Sequence, residues 1–265
     1  MDLSRLEAFA RENNIELSDS QTTQFARFGE MVRETNKQMN LTAITDESEM
    51  EAKHFIDSLE SAPYIKELAG DDFSLVDLGT GAGFPGIPLK IAFPEAQFVL
   101  LDSLNKRIEF VNQVISELGL ANTRAISARA EEFARTEYRE SFDFCVSRAV
   151  ANMSVLLEYC LPLVKLGGYC ILYKSGDFRS ELDEAAAAIN VLGGEEADIK
   201  TFSLPDSEIS RSLIFIKKIK ATPDKYPRRP GKPSKSPINM NSLPKLEKSR
   251  LNKVMCGYKR CEIAE

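Results

Sequence analysis

The chain has 265 residues, 43% of them hydrophobic, enough for one sizeable core with appendages. No apolar run approaches the length of a membrane span, and no charged segment precedes an apolar one at the start, so a soluble cytoplasmic protein is expected. The formal net charge of −6 is lopsided: from Arg211 onward fifteen Lys/Arg face four acids, a net of +11, which leaves −17 on residues 1–210. Five cysteines are scattered, and neither Cys145 and Cys170 in strand-like runs nor Cys256 and Cys261 near the end have metal-ligand spacing, so a reducing compartment and no metal are expected.

Residues 1–70 predict a helical cap. Leu3, Leu6, Phe9 and Ala10 keep helical spacing. Ser18 and Gln21 form a capping box for a second helix carrying Phe25, Phe28, Met31 and Val32. Asn36 to Thr42 reads as a polar turn, and Thr45 as the cap of a helix running through His54 to Leu59. His54 is the only histidine, so Ser–His and His–metal chemistries have little material; its default reading is a structural hydrogen bond, its alternative a substrate contact.

Residues 71–220 carry an α/β pattern. Apolar runs recur at 73–78, 97–102, 123–128, 142–147, 168–174 and 211–219, with helical stretches between them. Gly167-Gly168 and Gly193-Gly194 mark turns. The last run follows a long connection and suits a reversed strand near the sheet edge. The pattern implies a doubly wound, mostly parallel sheet with ligands at the carboxyl ends of its strands.

The stretch Val76 to Pro88 organises this core. Gly79, Gly81, Gly83 and Gly86 follow an apolar run, and Pro85 and Pro88 suit the first turn of a helix. Gly81 to Gly86 matches G-x-G-x-x-G, the dinucleotide fingerprint of an oxidoreductase. The longer register from Asp77 to Gly83, acid-x-G-x-G-x-G, resembles motif I of the S-adenosylmethionine-dependent methyltransferases. Asp77 then helps hold the cofactor's ammonium. Phe98 to Leu101 ends in Asp102, where a carboxylate can accept both ribose hydroxyls or cap the next helix; the ribose role is common to both cofactors. Ala130-Glu131, after the third run, stand where adenine contacts would sit. A dehydrogenase usually needs a second substrate domain, and no room for one remains, which favours methyl transfer.

The fourth run ends in Ser147-Arg148-Ala149-Val150. It lacks the acid-Pro-Pro-aromatic pattern of methyltransferases that act on amines, and Cys145 lies inside the strand rather than in the loop a C5 nucleophile needs. An arginine at the mouth suits an acceptor that needs no deprotonation. Guanine N7 has a free lone pair, and Arg can bond that base edge or a phosphate. Arg148 is thus the candidate catalytic residue, and its replacement by Ala is expected to cut activity far more than folding. Lys174, ending the fifth run, is a candidate RNA contact.

Residues 221–265 form a basic, proline-rich arm and a C-terminal extension. Lys225 to Pro237 is expected to stay extended and track phosphates through Arg228, Arg229 and Lys232, with Tyr226 stacking a base or packing on the domain. Leu246, Arg250, Lys253 and Val254 allow a short helix in the extension.

Together, Asn36-Lys37 with Asn40 to Thr42, His54 to Leu59, Val76 to Leu89, Leu101 to Arg107, Ser147 to Val150 and Tyr226 to Arg229 resemble the glucose-inhibited division protein B family, over roughly residues 20–238. The resemblance implies a class I methyltransferase fold that uses S-adenosyl-L-methionine to modify guanine N7 of 16S rRNA, in a loop near the decoding site of the small ribosomal subunit. It carries cofactor contacts over to Gly79, Phe84, Ala130, Glu131 and Arg148, beside Asp77, Gly81, Gly83 and Asp102 from the motif. A monomer is expected. Members of the family usually stop soon after the arm, whereas Asn239 to Glu265 continues here. A methyltransferase for another RNA or a small molecule, a dinucleotide-dependent oxidoreductase and a non-catalytic RNA-binding module remain the alternatives.

Overall fold

The computed structural model describes residues 1–148, 150–176, 178–205 and 210–242. Seven strands form one sheet: β1 (Ser74–Leu78), β2 (Gln97–Asp102), β3 (Thr123–Ser127), β4 (Phe142–Arg148), β5 (Val164–Ser175), β6 (Gly194–Ser203) and β7 (Ser210–Lys218). Their order is β3-β2-β1-β4-β5-β7-β6. β1 to β5 are parallel, and β7 runs antiparallel to both β5 and β6. Strand order reverses at β1, next to β4, and this switch point opens the crevice where such sheets bind ligands.

Alternate strand residues feed two cores. On one face, Leu75, Phe98 and Leu100 join the N-terminal helices α1 (Ser4–Glu12), α2 (Asp19–Met39) and α5 (Ala62–Ala69), with α6 (Gly86–Ala92) and α7 (Asn105–Glu117). Phe25, Phe28 and Phe55 are fully buried there, worth about 1.5–3 kcal/mol each. On the other face, Val76, Leu78 and Leu101 meet α9 (Met153–Cys160) and α10 (Arg179–Val191), and Tyr226 and Ile238 of the arm close the cluster. Both cores are continuous with the sheet.

Several local expectations are corrected. The capping box at Ser18 and Gln21 forms, but α2 continues through Asn36 to Met39 and ends at a left-handed Asn40. The Asn36 side chain then brackets Thr42, donating to its carbonyl and accepting from its N–H, both at 2.9 Å. Asp46, not Thr45, caps the next helix, accepting from Glu49 N–H at 2.9 Å. That helix comprises α3 (Glu47–Met50), a π-helical segment (Glu51–Ile56) and α4 (Asp57–Leu59). Gly167-Gly168 lie inside β5, where pairing jumps from Phe142–Val164 to Phe144–Tyr169; extra residues are absorbed there as a bulge. The connection after Gly193 is itself strand β6, with the reversed β7 between it and β5. The described part of the arm is not extended. It folds through the short helix α11 (Lys232–Lys235), with Tyr226, Pro227, Pro233 and Ile238 buried. The helix expected within the extension, and Cys256 and Cys261, lie outside the described residues. Among the described residues no helix is long and apolar enough to cross a membrane.

Candidate active site

The glycine loop leaves the tip of β1 and is tied down at both ends. Gly79 and Thr80 donate to the Leu101 carbonyl at 2.8 and 3.0 Å. Gly86 N–H donates to Asp77 Oδ2 at 2.8 Å. A Cβ on Gly86 would lie 2.3 Å from Leu100 Cδ2 and 2.7 Å from Asp77 Oδ2, so only glycine fits. Asp77 is fully buried, and its Oδ1 has no hydrogen-bond partner among the described residues. Burial pushes this carboxyl up to about 6; the nearby Thr80 hydroxyl, which makes no well-formed hydrogen bond of its own, and Gly86 N–H oppose the shift.

Asp102, at the tip of β2, already binds the chain. Oδ2 accepts from Gly81 N–H at 3.0 Å and Arg107 at 3.2 Å, and Oδ1 accepts from Leu104 N–H at 2.9 Å. It therefore both holds the glycine loop and turns the chain into α7. A carboxylate has about four acceptor positions, so roughly one remains for a ligand hydroxyl. Ala130 and Glu131 open the short helix α8 (Ala130–Phe133). Glu131 is buried, and its Oε1 accepts from Gly231 N–H of the arm at 3.0 Å. A cavity of about 340 Å³ lies between these groups, bounded by Gly79, Asp102, Arg107, Glu131, Tyr159 and Ser234. Tyr159 and Ser234 hydroxyls stand 3.1 Å apart, so the arm forms one wall of this cavity.

At the other end of the crevice Phe84 is sandwiched. It stacks on the His54 ring at 4.4 Å with 16° between planes, and the Arg148 guanidinium lies 5.4 Å from its centroid. Arg148 donates to Asp57 Oδ2 at 2.7 Å and approaches His54 Nδ1 at 3.4 Å. Since a guanidinium only donates, Nδ1 is the acceptor and Nε2 carries the proton, which it gives to Thr42 Oγ1 at 2.8 Å. Burial, reinforced by the Arg148 charge, drives the imidazole down to about 3, so His54 is neutral. His54 thus combines its structural hydrogen bond with a place in the site. Asp57 is buried, so Arg148 also neutralises an interior charge. Removal of this side chain is therefore expected to cost stability through the unpaired Asp57, beside any effect on activity, and Arg148→Lys is the variant expected to separate the two.

The candidate RNA contacts divide. Lys174 is internal, with Nζ 2.9 Å from Glu181 Oε1 and 3.2 Å from the Ala151 carbonyl. Arg228 is committed to Glu158, which has no solvent exposure: backbone N–H and Nε both donate to Oε1 at 2.8 Å, and the guanidinium also reaches Oε2. Its guanidinium is thus held by Glu158 and anchors the arm. Arg229 and Lys232 are exposed and form no ion pair among the described residues. Arg139 donates to the Tyr226 and Thr222 carbonyls at 2.9 and 2.7 Å, securing the arm's base. Sequence reasoning missed Asp57, Glu158 and Tyr159. A signal existed for Asp57, which lies one helical turn after His54, in its reach along the chain.

Comparison with known proteins identifies the lineage. The family model described as rRNA small subunit methyltransferase G matches residues 21–212. The chain belongs to that family. A ribosomal RNA small subunit methyltransferase G of Lachnoclostridium phytofermentans is 52% identical over 229 residues, 86% of this chain and 94% of that protein. The Alkaliphilus metalliredigens protein of the same name is 48% identical over 231 residues, 86% and 95% of the two chains. One from Geobacillus sp. is 47% identical over 239 residues, 90% of this chain and all of that protein. The seven-stranded sheet with its reversed β7 is accordingly a class I methyltransferase fold.

Proposed function

We propose that this family member transfers a methyl group from S-adenosyl-L-methionine to N7 of a guanine in 16S rRNA, in the decoding-region loop of the small ribosomal subunit. The observation that carries the acceptor is His54. The one imidazole of the site is held at about 3, so it is a poor proton acceptor at neutral pH. Guanine N7 needs none, because its lone pair attacks without prior loss of a proton.

The residues present fit the cofactor. The orphan Oδ1 of buried Asp77 is a site that a cofactor ammonium would satisfy. The remaining acceptor position of Asp102 suits a ribose hydroxyl, and the cavity by Ala130 and Glu131 suits adenine. Gly81, with open space where a Cβ would stand, leaves the loop bare for a ligand's approach, while Gly79 and Gly83 make room for Val150 and Ile87, and Phe84 stacked on His54 suits a wall for the methionine end. When bound, the cofactor supplies an electrophilic methyl on a sulfonium. The chain itself aligns the acceptor and excludes water. Arg148, fixed by Asp57, orients whichever group enters beside Phe84. Arg229 and Lys232 offer free cations to RNA phosphates.

Calorimetry with S-adenosylhomocysteine and with NADH, followed by transfer of labelled methyl to small subunits and to deproteinised 16S rRNA, tests the reading. Binding of the first ligand alone, with label in RNA, is expected. Binding of NADH alone would establish an oxidoreductase, and cofactor binding without any transfer to RNA would return the search to small molecules or to a binding module.

A further inference from the structure

A second cavity, of about 460 Å³, has Arg148 in its wall and shares no lining residue with the cavity between Asp102 and Glu131. Its walls come from elements distant in sequence: Lys53 in the π-helical segment, Asp57 at the start of α4, Arg148 on β4, Tyr173 and Lys174 on β5, and Arg211 on β7. The size falls in the usual range for small ligands, roughly 300–1,000 Å³.

The charge of the cavity differs from that of its surroundings. Residues 1–210 carry −17, yet four cationic side chains line this wall: Lys53 is paired with Glu49, Lys174 with Glu181, and Arg148 and Arg211 share Asp57, which leaves one cation in excess. Their excess attracts an anion and repels a cationic amine. Arg211 has capacity to spare. Its Nε is buried and makes no hydrogen bond among the described residues. The nearest carboxylate oxygen, Asp57 Oδ1, is 3.5 Å away, while Oδ2 of the same group is held by Arg148 at 2.7 Å. Asp57 thus orients two guanidiniums and saturates neither. A guanidinium carries five N–H donors in a fixed fork that matches phosphate geometry.

We propose that this cavity receives the acceptor nucleotide of the RNA, swung out of its stack, with Arg211 on its phosphate and Arg148 beside the edge of its base, leaving N7 open to the cofactor crevice. The proposal rests on the methyl-transfer reading above. In paired RNA guanine N7 lies in a deep, narrow major groove that a crevice at the end of a sheet cannot enter, so an extruded nucleotide is the form that reaches it. The same charge excess argues against a small cationic acceptor.

The test measures affinity of the full chain for unmethylated small ribosomal subunits, with S-adenosylhomocysteine present, across a series of monovalent salt at fixed magnesium. Arg211→Ala should weaken binding about tenfold at low salt and reduce the slope of log affinity against log salt by about 0.7–1, the loss of one phosphate contact. Arg211→Lys should restore the slope. Affinity for S-adenosylhomocysteine should stay within twofold in both. An Arg211 that only supported the fold would lower the melting temperature and leave the slope unchanged. Should Arg211→Ala fail to fold, Ser175→Trp, an exposed substitution at the cavity wall, should fill the space, abolish transfer and leave S-adenosylhomocysteine affinity intact. An unchanged slope in Arg211→Ala, or full transfer by Ser175→Trp, would overturn the proposal. A wild-type chain that binds cofactor but methylates no RNA would instead refute the reading on which it rests.

Discussion

Two adjacent arginines of the arm should behave in opposite ways. Arg228 delivers one backbone and three side-chain hydrogen bonds to Glu158, a carboxylate with no solvent exposure on α9. Arg228→Ala leaves that charge buried with only the backbone N–H. Breaking a buried ion pair from one side costs about 3–5 kcal/mol, and the surviving N–H puts the expected loss near the lower end. For a chain of this size that is a fall of roughly 6–12 °C in melting temperature. Arg229→Ala removes an exposed side chain and should stay within about 0.5 kcal/mol of wild type, while weakening RNA binding. Calorimetric melting and a salt-series RNA titration of both variants read the contrast. An Arg228→Ala protein as stable as wild type but weaker than Arg229→Ala in RNA binding would refute the assignment of Arg228 as an anchor.

The remaining expectations concern the site. With a single histidine in the chain, the imidazole resonance of His54 is directly assignable by NMR, and it should show a neutral ring from pH 8 down to pH 5. Its depressed folded value means that stability is lost as pH falls from about 6.5 towards 3, because only the unfolded chain binds the proton in that interval; a midpoint near 6.5 in the folded protein would contradict the burial. Asp77 has the opposite sign. Its raised value means that stability present below about 4 is lost as pH rises through about 6, and a cofactor ammonium should recover it. Affinity for S-adenosylhomocysteine should therefore decline as pH drops below about 6, and Asp77→Asn should flatten that dependence; a wild-type affinity independent of pH from 5 to 8 would remove Asp77 from the ligand's contacts. Gly86→Ala forces a methyl against Leu100 and Asp77 and should cost about 1–3 kcal/mol by chemical denaturation, whereas a neutral effect would show that the loop can shift.

Much of the fold was legible because its strands are apolar runs separated by glycine turns. The edge strand β6 was not, since Glu195, Glu196, Asp198 and Lys200 give it little apolar signal. The last turn of α2 escaped for a similar reason: Lys37 and Gln38 face solvent. The glycine loop, Asp102 and Arg148 stood out as candidates by position at strand tips, where a parallel sheet collects ligands, and Glu131 by its place just after β3. What the sequence hid is pairing across distance. Glu158 meets Arg228, Glu131 meets Gly231 and Asp57 meets both Arg148 and Arg211, over separations of 70 to 154 positions. Such contacts turn an arm that composition suggests is extended into a wall of the crevice. They also give Arg148 a structural load that its place at a strand end does not reveal.

Nucleoside analysis of small-subunit RNA after reaction with labelled S-adenosyl-L-methionine tests the central claim most directly. The account predicts that the label elutes as N7-methylguanosine, from a single position of 16S rRNA. Label in any other nucleoside, or none despite intact cofactor binding, would contradict it.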